Sequence, residues 1–99
     1  MPFQIEIVPI ALGDTRFLTS RERATLFKII PVQLKHQPDI ETKNRKKMRS
    51  NPIAPWELRV DRMRVYYEFV LEPEPWVTVL RIGVKEGHRI WIGGEEFIL

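Results

Sequence analysis

The sequence contains no cysteine, only two histidines, and no run of eighteen consecutive apolar residues. The lack of cysteine excludes a disulfide scaffold, a thiolate metal site and a cysteine nucleophile, and it suits a reducing compartment. The N-terminus also lacks a basic segment followed by an apolar run, which is the pattern of a secretory signal. We therefore expect a cytoplasmic protein without contact to a membrane, and we expect no metal ion or other cofactor.

Length and composition are those of one ordinary globular domain, which we expect to span residues 1–99. Hydrophobic residues make up 43% of the chain and charged residues 29%, which argues against disorder. The net charge of +3 is unevenly spread, because residues 41–66 hold eight basic and three acidic side chains. Concentrated positive charge attracts phosphate groups or an acidic partner protein. Charge alone, however, fits a solvated lysine-rich loop equally well.

The N-terminal part of the sequence predicts one strand and one helix. Apolar and polar residues alternate from Phe3 to Val8, which is typical of a half-buried strand. Thr19 and Glu22 form a capping box, which predicts a helix from about Ser20 to Gln37. Pro31 lies inside this helix and predicts either a kink or a division into two helices. The apolar residues that set the helical spacing are Ala24, Phe27, Ile30 and Leu34.

Residues 39–55 lack apolar periodicity and predict a long basic loop, which in a compact domain is often functional. Strand-like runs follow it, and they are Trp56 to Val60, Arg64 to Leu71, Val77 to Val84 and His88 to Ile92. This order predicts an α+β fold. The N-terminal strand and the helix would pack on one face of an antiparallel-rich sheet formed with this C-terminal meander, leaving the other face open.

Alternation within the strands predicts which side chains occupy the open face. Apolar residues take every second position on both sides of the first hairpin, so Arg59 lies opposite the apolar set on its strand. Arg64 and Tyr66 occupy the corresponding positions on the next strand. We expect these three side chains to lie together. The orientation of Arg81 stays open, because its strand carries apolar residues on both sides.

The segments PWELRV (55–60), RVYYE (64–68) and VTVLRIG (77–83) resemble the core of RelE/ParE superfamily toxins of type II toxin–antitoxin systems. The resemblance covers most of the chain, since the first strand, the helix and the basic loop occur in the family's order. It implies the fold described above and a cognate antitoxin protein as partner. In the favoured branch it implies an endoribonuclease, or mRNA interferase, that inhibits translation. Such enzymes cut mRNA, usually on the ribosome, through metal-free attack of a 2′-hydroxyl on the adjacent phosphorus.

The resemblance also implies roles for individual residues. Arg59 and Arg64 align with cationic positions of the family, and guanidinium groups suit phosphate because they bind its oxygens through a planar fork. Lys85 aligns with the basic residue after the glycine of the last long strand. Trp91 occupies the family's terminal tyrosine position, where an indole can stack on a base but cannot exchange a proton, and a place in the core explains Trp91 as well. His88 is therefore our candidate for proton transfer, although an ordinary strand-end histidine explains it as well.

The predicted catalytic residues are thus Arg59, Arg64, Lys85 and His88. The predicted RNA-binding residues share a positive charge or a ring that can stack on a base, and they are Lys43, Arg45, Lys46, Lys47, Arg49, Tyr66, Arg81, Arg89 and Trp91. Alternatives remain open at this stage. The resemblance also fits a ParE-like inhibitor of DNA gyrase, and it fits a catalytically degenerate RNA- or protein-binding module of the same fold. The two arginines fit surface cations balanced by Glu57 and Glu68 as well.

Overall fold

The N-terminal third of the chain forms one strand and two helices in a computed structural model that describes residues 2–99. Strand β1 (Gln4–Ile7) leads into helix α1 (Pro9–Asp14), whose first residue is a proline that needs no hydrogen-bond partner for its nitrogen. A single 3₁₀ turn (Thr15–Phe17) connects α1 to helix α2 (Ser20–Leu34). The sequence did not predict α1, because six residues are too few to show a helical period.

Helix α2 begins at the predicted capping box. Glu22 donates its backbone N–H to the Thr19 hydroxyl at 3.0 Å, and the Glu22 carboxylate accepts the Thr19 N–H at 2.9 Å. The helix runs through Pro31 and ends at Leu34, so it is one helix, three residues shorter than predicted. A proline in the last turn deprives only the Phe27 carbonyl of its donor, and the helix end lies close by.

The buried face of α2 differs in part from the prediction. Leu26, Ile30 and Leu34 are buried, whereas Ala24 and Phe27 are exposed. The predicted face was wrong at its N-terminal end because Leu26, four residues before Ile30, continues the buried row one helical turn upstream.

The remaining strands form a sheet of seven with β1. They are β2 (Arg45–Lys47), β3 (Trp56–Val60), β4 (Met63–Val70), β5 (Trp76–Glu86), β6 (Arg89–Ile92) and β7 (Glu95–Phe97). Neighbours from β2 to β7 pair antiparallel in chain order, and β1 pairs parallel with β5. Strand β4 occupies one edge of β5 along its length, so β1 and β6 share the other edge. The predicted α+β architecture with a C-terminal meander is therefore confirmed.

Two strands lie where the sequence predicted a loop or a tail. Strand β2 lies within the predicted basic loop, and β7 lies in the segment after Gly94. Each has three residues, which is too short for alternation to be recognised. The other strands begin and end within two residues of their predicted bounds.

Apolar side chains form a core on each face of the sheet. The larger core lies between the sheet and the helices and includes Leu26, Ile30, Leu58, Val65 and Tyr67. A smaller cluster on the opposite face contains Ala54, Tyr66 and Ile92, with partly buried residues around them that include Met48, Leu80, Ile90, Phe97 and Leu99. The face that we predicted to be open is therefore partly covered by the segment after β2 and by β7. None of the helices described is long and apolar enough to cross a membrane.

Candidate functional site

Arg59 and Arg64 are direct partners across the β3–β4 hairpin, and a carboxylate lies beside both. Arg59 donates its Nε hydrogen to Oε1 of Glu57 at 2.7 Å, and the Nε atom of Arg64 lies 3.9 Å from the same oxygen. All three residues alternate with side chains of the main core, so they occupy the sheet face that points away from the helices. The sequence prediction for the two arginines agrees with this placement.

The two arginines differ in how much they are held by the fold. The Arg64 side chain is 11% exposed, and one terminal nitrogen donates to the carbonyl oxygens of Asp61 and Met63, both at 2.8 Å. The Arg59 side chain is 47% exposed. Arg64 is thus a rigid cation anchored by the hairpin, while Arg59 presents its guanidinium to solvent.

Tyr66 lies next to this group, as the cross-strand partner of Glu57. Its ring is fully buried in the smaller cluster, and its hydroxyl has no hydrogen-bond partner in the described chain. Burial raises the pKa of Tyr66, and the negative charge of Glu57 raises it further. The prediction of Tyr66 as an RNA-binding residue is wrong for this structure, because both its ring and its hydroxyl are buried.

A cleft of about 330 Å³ is lined by Glu57, the partner of both arginines, and by several predicted residues. Lys85, His88 and Arg49 line it together with Glu57, while Ile90, Phe97 and neighbouring apolar side chains form its other walls. Lys85 and His88, which lie close in sequence at the end of β5 and in the turn before β6, thus share one cavity with a residue of β3. We call the arginine pair, Glu57 and this cleft the β3–β4 site.

Among four further predicted cations, the sheet register places Lys46 on this face, whereas Lys47 pairs with Trp56 of the main core and Arg89 lies on the same side of its strand as Trp91. Lys46 is the cross-strand partner of Glu57, and it is partly exposed. Lys43 and Lys47 are exposed. Arg89 is exposed at the start of β6, where its Nε lies 3.7 Å from a carboxylate oxygen of Glu96.

Arg45 and Arg81, by contrast, are occupied within the fold. Arg45 is buried, and its guanidinium donates to the carbonyl of Ile40 and to the carbonyl and side chain of Gln33 at 2.7 to 3.0 Å. Arg81 forms two hydrogen bonds to the carboxylate of Asp14, at 2.8 and 2.9 Å. These bonds raise the pKa of Arg81. Both arginines serve the fold, so their prediction as RNA-binding residues is not compatible with this structure.

Trp91 lies on the wrong face to act beside the arginine pair. It pairs with Val84 of β5 and packs against the main core, whereas Arg64 points to the opposite side. Its partly buried ring lines a second cleft of about 220 Å³ with Phe17. The predicted role of Trp91 as a stacking platform at the phosphate site is therefore wrong, because neighbouring strand residues alternate between faces.

Sequence reasoning treated Glu57 only as a counter-ion, although its position two residues before Arg59 places both side chains on one face. Contacts between β7 and the segment that follows β2 shape the cleft. No pattern in the sequence indicated these contacts. No group of three or more His, Asp or Glu residues that could hold a metal ion occurs within residues 2–99. Comparisons with protein-family models, with curated proteins and with solved structures gave no match to this chain.

Proposed function

We propose that this chain is a toxin of the RelE/ParE kind and acts as an endoribonuclease that cuts mRNA on the ribosome without a metal ion. One observation carries the proposal. Two opposed arginines lie on the sheet face away from the helices, beside a cleft that contains a lysine and a histidine. The resemblance of strands β3, β4 and β5 to the toxin family supports the same function.

The arrangement suits cleavage of a phosphodiester. Attack of a 2′-hydroxyl on phosphorus builds negative charge on the phosphorane oxygens, which Arg59 and Arg64 are placed to stabilise. Arg64 is held by two backbone carbonyls and so needs little reorganisation, while Arg59 is accessible to the incoming phosphate. Lys85 adds positive charge at the cleft. His88 acts as the acid that protonates the leaving 5′ oxygen.

The exposed cations around the site supply binding without sequence preference. Lys43, Lys46, Lys47 and Arg49 belong to one segment at the sheet edge, which contacts the RNA backbone through phosphate groups. The same positive surface binds an acidic segment of a cognate antitoxin protein, which blocks access to the site.

Cleavage of mRNA on programmed ribosomes tests this function. We expect a product that ends in a 2′,3′-cyclic phosphate, and we expect no cut when the nucleotide at the cleavage position carries a 2′-deoxyribose. Arg59→Ala is expected to slow cleavage by about 10²-fold, since it removes one stabilising cation. Lys28→Ala removes an exposed cation of α2 and serves as the matched control. Intact messages during growth arrest by this protein would contradict the proposal.

A second candidate is a catalytically inactive RNA- or protein-binding module of the same fold. The burial of both tyrosines, Tyr66 and Tyr67, favours it, because neither offers an exposed phenol for proton transfer beside the arginine pair. In that case the wild-type protein binds ribosomes and cleaves nothing, and Arg59→Ala weakens RNA binding. A DNA gyrase supercoiling assay on the same protein separates the ParE-like alternative from both.

A further inference from the structure

Glu57 combines burial, fixed geometry and access to the cleft in a way that a simple counter-ion does not require. We infer that Glu57 is the general base that accepts the proton of the attacking 2′-hydroxyl, an assignment that rests on the proposed endoribonuclease function. The side chain is 11% exposed and still lines the cleft that contains Lys85 and His88.

The contacts of Glu57 leave one carboxylate oxygen for substrate. Within residues 2–99, the one side-chain hydrogen bond that Glu57 accepts, from Nε of Arg59 at 2.7 Å, uses Oε1, and Oε2 accepts none. The closest approach of the Arg64 Nε atom, 3.9 Å, is also to Oε1. Oε2 therefore remains for a group that enters the cleft. The residue lies on the central part of β3, between β2 and β4, so its backbone is fixed by pairing on both sides.

A carboxylate at this position opposes phosphate binding, because it reduces the positive charge of the arginine pair. Offsetting the repulsion between the two opposed arginines explains a carboxylate here, but it does not require that the carboxylate line the cleft, whereas a part in the reaction does. A phosphate held by Arg59 brings the adjoining ribose next to Glu57, which contacts the same guanidinium. Two other carboxylates near this face fit the role less well. Glu96 also lines the cleft, but its side chain is 42% exposed and its Oε2 lies 3.7 Å from Nε of Arg89. Glu68 is an exposed partner of Thr78.

The proposed step balances with two protein groups. The 2′-hydroxyl proton moves to the Glu57 carboxylate as the bond between O2′ and phosphorus forms. The bond between phosphorus and O5′ breaks, and O5′ takes a proton from the His88 imidazolium. The products are a 2′,3′-cyclic phosphate and a 5′-hydroxyl end, and the two side chains then exchange protons with water.

The first test separates chemistry from binding. Glu57→Gln keeps the shape of the side chain and removes its basicity, so we expect cleavage to slow by about 10²-fold or more. RNA affinity is expected to stay equal or increase, because a negative charge leaves the site. A purely structural Glu57 would instead lower affinity and cleavage together. Glu74→Gln, in the exposed turn between β4 and β5, is the matched control.

The second test assigns the proton-transfer role with an RNA that carries sulfur in place of O5′ at the mapped cleavage position. This leaving group needs no acid, so we expect it to restore cleavage by His88→Ala and to leave Glu57→Gln slow. Restoration of Glu57→Gln would overturn its role as base. Wild-type-like cleavage by Glu57→Gln would also overturn that role and leave the proposed function intact. Absence of cleavage by the wild type would overturn both.

Discussion

Arg59 and Arg64 lie directly opposite each other across the β3–β4 hairpin, and their Nε atoms approach the same oxygen of Glu57. Like charges at opposed positions of an antiparallel pair destabilise it, and a shared carboxylate offsets that repulsion. The three residues thus form a unit in which one arginine is anchored and the other is accessible.

This difference predicts unequal effects on stability. Arg64→Ala removes the donor for the carbonyls of Asp61 and Met63, so we expect a loss of about 1 to 2 kcal/mol in the free energy of unfolding. Arg59→Ala removes an ion pair whose arginine is half-exposed, so it should change the free energy of unfolding by less than about 0.5 kcal/mol. Both variants should weaken RNA binding. Urea denaturation measures the stabilities, and equal losses would contradict this description of the pair.

Two adjacent tyrosines, Tyr66 in the smaller cluster and Tyr67 in the main core, provide a matched comparison. The Tyr66 hydroxyl is buried and has no hydrogen-bond partner within residues 2–99, whereas the Tyr67 hydroxyl donates to the carbonyl of Pro38 at 2.7 Å. Tyr66→Phe is therefore expected to be neutral or stabilising, because it removes an unsatisfied polar group. Tyr67→Phe is expected to cost about 1 kcal/mol for the lost hydrogen bond. Thermal or urea unfolding measures the stability of the two variants. A larger loss of stability for Tyr66→Phe than for Tyr67→Phe would contradict the finding that the Tyr66 hydroxyl is unsatisfied.

Patterns with a clear local cause were predictable from the sequence. Thr19 and Glu22 signal a helix start through their own side chains, and the alternation around Arg59 and Arg64 fixes their face once a strand is assumed. The hairpins of the meander were predictable for the same reason, because each turn interrupts an apolar alternation.

Features that depend on tertiary contacts were not predictable. Arg45 and Arg81 look like surface cations in sequence, but their partners lie 12 and 67 residues away. The sheet face on which Arg81 lies could not be predicted either, because the pairing of β4 with β5 shifts register between Tyr66 and Tyr67. The placement of Trp91 followed from pairing with Val84, which no local pattern reveals.

Acid should weaken the contact between helix α2 and the β3–β4 turn. Hydrogen bonds from Arg62 and from the Thr19 backbone lower the pKa of Glu22 from 4.5 to about 2. Because this pKa is lower in the folded state, the stabilisation is complete above about pH 4.5 and is lost as the pH falls toward 2. Glu22→Gln keeps a capping side chain and removes the charge.

The expected loss for Glu22→Gln is up to about 1 kcal/mol at pH 7, because Arg62 is partly exposed, and it should shrink toward zero near pH 2. Urea unfolding at several pH values, with Glu74→Gln as the control, measures this difference. A difference between Glu22→Gln and wild type that stays constant from pH 7 to pH 2 would show that Glu22 acts only through its cap.

Asp14 joins helix α1 to the sheet at the gap that β1 and β6 leave on the same edge of β5. Its carboxylate is 3% exposed and accepts two hydrogen bonds from Arg81 and one from the backbone N–H of Ile82 at 3.0 Å. Asp14→Ala leaves a guanidinium and a buried N–H without partners, so we expect a loss of about 3 kcal/mol or more. The exposed Asp39 offers a control, since Asp39→Ala should change stability by less than about 0.5 kcal/mol.

A double-mutant cycle tests whether the two side chains act as a pair. Asp14→Ala combined with Arg81→Ala should destabilise by less than the sum of the single changes. Each single change leaves the other charged side chain without its partner, whereas the double variant has neither charge. Strict additivity of the two losses would contradict the pairing. RNA affinity of the Asp14 variant, measured below its unfolding temperature, should equal that of the wild type, since neither residue of this pair reaches the β3–β4 site.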